Sequence, residues 1–253
     1  MTLGPFAAAS AETVEQRRPL LVVEKVTKRF SGVQALDDIS FEVEAGGILG
    51  IIGPNGAGKT TLFDVICGLQ PADAGTVVFK GERIERLRPH AIARRGLART
   101  MQVAGVFGEL TIAENLRVVA TFAGPGHEWR DWADELLTIT KLRGREQERA
   151  RNLSFGQQRL LEFAMAVVSR PALVLLDEPV AGVNPVLVDQ ITELIQELNR
   201  HNITFAIVEH NVPFVAGVST RLMAMARGRK IAEGTADEVR RNASVLEHYL
   251  VGS

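Results

Sequence analysis

Three short stretches of this 253-residue chain carry residue types and spacings that could do chemistry. The first is Gly53-Pro54-Asn55-Gly56-Ala57-Gly58-Lys59-Thr60, which fits the phosphate-binding pattern G-x-x-x-x-G-K-[ST]. Its glycines permit backbone conformations that a side chain would forbid, so successive N–H groups can turn onto phosphate oxygens. Lys59 is spaced to reach the β- and γ-phosphates of a nucleoside triphosphate, and the Thr60 hydroxyl to ligate Mg²⁺. The second stretch is Asp177-Glu178, which ends the apolar run Leu173-Val174-Leu175-Leu176. A carboxylate at the end of such a strand can hold the metal that bridges the two outer phosphates. Glu178, one residue further out, could accept a proton from an attacking water. The same Asp-Glu-Pro could also simply end a strand in solvent. The third is Leu153-Ser154-Phe155-Gly156-Gln157. Ser154 and Gln157 are spaced as a capping box. They also fit a second anion site, built from a helix start, a hydroxyl and the glycine Gly156.

These stretches need strands and helices to hold them. Ile48-Leu49-Gly50-Ile51-Ile52 reads as a buried strand leading into the glycine loop, and Thr61 to Gly68 as a helix leading out. Further strands are expected at Leu20–Val26, Phe41–Glu44 and Gly75–Gly81. From about Pro89 the signals turn helical: His90 to Gly96, a capped helix from Thr111 with Glu114, a break at Gly124-Pro125-Gly126, and Trp129 to Thr140. This middle region is poor in strand signals and reads as a helical insertion over residues 89–161. Strand, helix and strand then alternate through Leu173–Leu176, the face Leu187/Ile191/Leu194/Ile195/Leu198, and Thr204–Val208, which argues for parallel βαβ crossovers. Gly228 and Gly234 punctuate the last strands, and Thr235 with Glu238 opens a final helix. The fold class expected is α/β: a P-loop core with a RecA-like mixed sheet, an N-terminal antiparallel β subdomain and an inserted α-helical subdomain. Residues 20–253 form one domain in this reading, after a disordered extension at 1–19.

Composition narrows the classes. A net charge of −1 offers no basic track for nucleic acid. No apolar run approaches the roughly 18–20 residues needed to span a bilayer. The N-terminus lacks the pattern of a secretory signal. The one cysteine, Cys67, excludes an intrachain disulfide and reads as a small core residue.

The three chemical stretches, in the chain order Gly53–Thr60, Leu153–Gln157 and Asp177-Glu178, resemble an ATPase subunit of an ABC transporter, from about Leu20 onward. Leu153 to Gln157 is similar to that family's Leu-Ser-Gly-Gly-Gln signature, with Phe155 at the first glycine position. The resemblance implies ATP and Mg²⁺ as cofactors and a head-to-tail pair of subunits. In that pair each ATP lies between one P-loop, including Thr61, and the partner's Ser154, Gly156 and Gln157. It also implies that Phe30 stacks on adenine and that His210 contacts the γ-phosphate and helps to position Glu178. Gln102 would sense both the metal and the attacking water. The loop after Glu178 has Asn184 where the family usually has aspartate. Arg99-Thr100-Met101-Gln102, Ala113 to Leu116, Glu178 to Pro185 and the short ending from Tyr249 look most like the branched-chain amino acid importer branch. The expectations that follow are membrane permease subunits and a second ATPase subunit as partners, a periplasmic binding protein engaged indirectly, and a peripheral place on the cytoplasmic face of the inner membrane. The cargo expected is branched-chain amino acids or related small amides and acids. An exporter of lipid or lipopolysaccharide type and a non-transport ABC ATPase remain as alternatives. A P-loop kinase or GTPase fits less well, because the signature stretch argues against the one and no Asn-Lys-x-Asp motif supports the other.

Overall fold

A computed structural model of the chain describes residues 19–100, 105–122 and 129–250. Two sheets share one hydrophobic interior. The smaller is antiparallel, in the order β2-β1-β4-β5. It is made from β1 (Pro19–Phe30), β2 (Val33–Glu44), β4 (Ala74–Phe79) and β5 (Glu82–Arg83). The larger has the order β10-β9-β3-β8-β7-β6. Its strands are β3 (Ile48–Ile52), β6 (Leu97–Arg99), β7 (Leu173–Asp177), β8 (Thr204–Val208), β9 (Arg221–Ala226) and β10 (Arg229–Gly234). All its neighbours pair in parallel except β9 with β10.

The parallel strands are buried on both faces, and alternate residues serve two interiors. Leu49, Ile51, Leu175, Val208 and Met223 face the antiparallel sheet and α1 (Lys59–Ile66). Ile48, Ile52, Val174, Leu176, Phe205 and Leu222 face the opposite, helical side. That side is built from α3 (Ile112–Phe122), α4 (Trp129–Ile139), α5 (Phe155–Val167), α6 (Pro185–Arg200) and α7 (Val212–Val218). A short α2 (Pro89–Arg94) precedes β6, and α8 (Ala236–Arg241) and α9 (Ala243–Leu250) close the described chain.

Several local expectations differ from what is found. Residues 1–18 and Gln102 lie outside the described residues, as does Gly124-Pro125-Gly126. Pro19, expected in a disordered extension, is the first residue of β1. Leu97–Arg99 is a strand of the main sheet, paired with β7, within the span read as a helical insertion. Three residues are too few to show a period, and only the neighbouring strand makes them one. At the other edge of that span, residue 161 falls in the middle of α5. The final helix is two helices. Asn242 divides them, and its side chain accepts from the Ser244 N–H at 3.0 Å, which starts a new helix rather than extending the old one.

Candidate active site

The carboxyl ends of β3, β8 and β7 lie side by side, with Ile51 level with Val208 and Val208 level with Asp177. The P-loop leaves the first of these strands, His210 the second, and Glu178 the third. One edge of the sheet therefore gathers residues some 150 positions apart, as parallel α/β sheets do for phosphate ligands.

The loop itself could not be built from other residues. A Cβ at Gly53 would lie 2.4 Å from the Met225 carbonyl oxygen. Gly58 sits at φ 96°, and a Cβ there would meet the Ala35 carbonyl oxygen at 2.4 Å. Ala57 is buried beneath the loop, while Pro54, Asn55 and Gly56 border the open side. Lys59 begins α1 and is buried, with Nζ donating to the carbonyls of Gly53 at 2.7 Å and Pro54 at 3.0 Å. Burial pulls its pKa below the usual lysine value, against the opposing pull of Glu178, Asp177 and Glu209. An ammonium group held in a cradle with too little compensating charge is ready for an anion. Thr60 and Thr61 follow on the same helix start, Thr60 exposed.

Glu178 has φ 48°, a left-handed conformation that a glutamate rarely adopts. Its backbone is fixed from two sides. Its N–H donates to the Val208 carbonyl at 2.9 Å, and its carbonyl accepts from Arg159 Nη2 at 3.3 Å. Arg159 comes from α5, donates also to the Pro179 carbonyl at 3.2 Å, and pairs with Glu162 at 2.6 Å. The Glu178 carboxylate lies 3.9 Å from His210 Nδ1.

Behind this pair is Glu209, fully buried and absent from the sequence reading as a site residue. It accepts from three backbone N–H groups: Val180 at 3.2 Å, His210 at 2.7 Å and Asn211 at 2.9 Å. It thus joins the segment after Glu178 to the segment carrying His210. A carboxylate so placed fixes the two loops relative to each other. Its only sequence signal is an acidic residue at the end of an apolar strand.

Phe30 ends β1 and is 40% exposed, so it is not a core residue. Its ring carries Lys28 Nζ 5.2 Å from the centroid. Ser154 caps α5 with the full capping box: its Oγ accepts from Gln157 N–H at 3.3 Å, and Gln157 Oε1 accepts from Ser154 N–H at 3.0 Å. Among the described residues Ser154, Gly156 and Gln157 make no hydrogen bond to the P-loop of their own chain. Phe155 is 59% exposed. At Gly156 a Cβ would make only an ordinary 3.4 Å contact with Leu187, so nothing among the described residues requires glycine there.

A cleft of about 700 Å³ opens beside the site. Leu69, Pro89, Ile92, Arg99, Glu162 and Met165 are among its walls. Burial raises the Glu162 carboxyl above the usual range, against the opposing pull of Arg159. Burial likewise pushes the Cys67 thiol up to about 11, with Arg99 opposing, so Cys67 is an inert wall residue.

Residues 36–181, which run from β2 past Glu178, match the family model described as ABC transporter. The chain belongs to the ABC transporter family. A second model, described as branched-chain amino acid ATP-binding cassette transporter, matches residues 229–250. The cassette is 36% identical over 250 residues to the high-affinity branched-chain amino acid transport ATP-binding protein LivG of Salmonella typhimurium, covering 92% of this chain and 98% of the relative. It is 34% identical over 232 residues to the lipopolysaccharide export system ATP-binding protein LptB of Escherichia coli, covering 91% and 96%. The ADP conformation of an ATP-binding cassette from an ABC transporter superposes with a TM-score of 0.83 at 33% identity, covering 92% of this chain and 98% of that one. As a member of this family the cassette binds ATP and hydrolyses it.

Proposed function

We propose that this cassette is the peripheral ATPase subunit of a membrane importer for branched-chain amino acids or related small amides and acids. The observation that carries the cargo class is the match of the branched-chain model at residues 229–250, a segment outside residues 36–181, which the general ABC transporter model matches. In this reading the path for cargo belongs to separate permease subunits; among the described residues no helix is long and apolar enough to cross a membrane. In this reading a cytoplasmic helix of the permease docks in the cleft beside Arg99 and Glu162, at whose wall Leu69 is half-exposed.

The chemistry follows from the site. The P-loop amides and Lys59 bind the phosphates of ATP. Mg²⁺ takes oxygen ligands and keeps several of its waters, so it needs only one or two protein oxygens besides phosphate. Thr60, at the start of α1, and Asp177, at the end of β7, would supply that donor set, with Gln102 as the third residue proposed for it. When bound, the ion neutralises charge on the outer phosphates. Glu178 accepts a proton from water, and His210 holds Glu178 and the γ-phosphate in relation to each other. Among the described residues Ser154, Gly156 and Gln157 make no hydrogen bond to their own P-loop, and this supports a head-to-tail pair in which they close over the ATP of another cassette. Hydrolysis then reopens the pair, because only ATP gives both halves a contact.

The test is transport. The cassette would be reconstituted in proteoliposomes with candidate branched-chain permeases and their binding protein. ATP-dependent uptake of radiolabelled leucine is expected. ATP hydrolysis with no uptake of leucine, isoleucine, valine or short amides would overturn the cargo class. Extraction of lipopolysaccharide instead would favour the export reading that the likeness to LptB supports.

A further inference from the structure

Arg99, the last residue of β6, joins two carboxylates. Nη1 donates to Asp64 at 2.6 Å and Nη2 to Asp177 at 2.8 Å. The guanidinium carbon lies 5.8 Å from the centre of the Phe63 ring, and nine-tenths of the side chain is buried. Nε is buried with no hydrogen-bond partner among the described residues. As a device for stability alone this is a poor arrangement. A buried ion pair gains little over apolar packing of the same volume. The placement of its partners suggests a use. Asp64 lies four residues after Thr60 on α1, and Asp177 ends β7. The bridge therefore staples together the two elements that offer oxygens to the metal.

We propose that Arg99 is a positioning residue for the cation of ATP: it fixes the Asp177 carboxylate relative to Thr60, and Asp64 supplies the counter-charge. The proposal rests on the reading of Asp177 as a metal carboxylate. The terminal torsion of an aspartate is soft, so an unrestrained carboxylate presents its oxygens over a wide arc. A hydrogen bond to one oxygen fixes the plane and commits the other to the metal. Residues that orient metal ligands in this way commonly matter 10–100-fold for affinity. A lone guanidinium in this place would also repel the cation. Asp64 cancels that charge, so the bridge orients Asp177 without weakening its pull on the metal. The strand Leu97–Arg99 thereby gains a reason to sit at the edge of the sheet next to β7.

The experiment is a Mn²⁺ titration, followed by electron paramagnetic resonance, of the full chain loaded with a non-hydrolysable ATP analogue. Nucleotide affinity in EDTA is measured beside it. Arg99→Gln is expected to weaken Mn²⁺ binding by about 10–100-fold, with a far smaller effect on nucleotide affinity in EDTA. Asp64→Asn is expected to weaken Mn²⁺ in the same direction, because Asp177 alone then balances Arg99 and offers the metal less negative charge. Wild-type Mn²⁺ affinity in Arg99→Gln overturns the proposal. If that variant does not fold, wild-type affinity in Asp64→Asn overturns it instead, since Asp64 is part-exposed and its loss leaves Arg99 paired with Asp177. Asp177→Asn separates the two layers. If it keeps Mn²⁺ affinity, the metal reading of Asp177 fails. If it loses Mn²⁺ and Arg99→Gln does not, only the role of Arg99 fails.

Discussion

Glu178→Gln is expected to slow ATP turnover by about 10²–10⁴-fold while leaving ATP binding in place. The exchange keeps the shape of the side chain and its hydrogen bonding to water but removes the proton acceptor. The P-loop and Lys59 are untouched, so ATP still enters. The backbone of residue 178 is held in its left-handed conformation by Val208 and Arg159, through main-chain atoms that the exchange does not alter. A bound but unspent ATP should then hold two chains together. Size-exclusion chromatography with ATP and Mg²⁺ should show a dimer that the wild type forms only briefly. Undiminished hydrolysis would remove Glu178 from the role of base.

Lys59→Ala is expected to weaken ATP binding by about 30- to 4,000-fold, the cost of truncating one partner of a buried, hydrogen-bonded charge pair. In the free protein Lys59 spends its donors on the Gly53 and Pro54 carbonyls, and burial works against its charge. Its loss therefore removes an ammonium that folding tolerates rather than favours, and thermal stability should change little. Titration with a fluorescent ATP analogue reads the effect. Binding at wild-type strength would mean that the loop holds phosphate through its amides alone.

Much of this was legible in the chain, and the reasons differ from part to part. The P-loop, the β7 carboxylates and the capped helix at Ser154 are local patterns. Each is a few consecutive residues whose geometry follows from their own backbone needs. The buried strands showed themselves as apolar runs because a parallel sheet buries both faces. What stayed hidden depends on contacts between distant segments. Leu97–Arg99 becomes a strand only beside β7. Val212–Val218 is a helix capped by Asn211, but seven mostly apolar residues show no helical period. Glu209 matters because amides from two separate loops converge on it. Arg159 lies on α5, and nothing in the capping residues Ser154 and Gln157 says that its guanidinium reaches back to the carbonyls of Glu178 and Pro179. The left-handed backbone of Glu178 has no sequence signal either, since such strain is imposed by the surrounding fold.

In the proposed mechanism the P-loop of this cassette is half of a site, and the Ser154 end of a second cassette is the other half. Mixing two disabled variants tests this most directly. Lys59→Ala lacks a working P-loop but keeps its signature helix. Ser154→Arg keeps the P-loop but carries a bulky cation where the partner's γ-phosphate must sit. Each alone should hydrolyse ATP poorly. In a mixed head-to-tail pair, the intact P-loop of one chain meets the intact signature of the other. Turnover should therefore reappear on mixing and fall away again on dilution. If the mixture hydrolyses no more ATP than the sum of its parts, or if Ser154→Arg alone retains full turnover, the site is not shared between two chains.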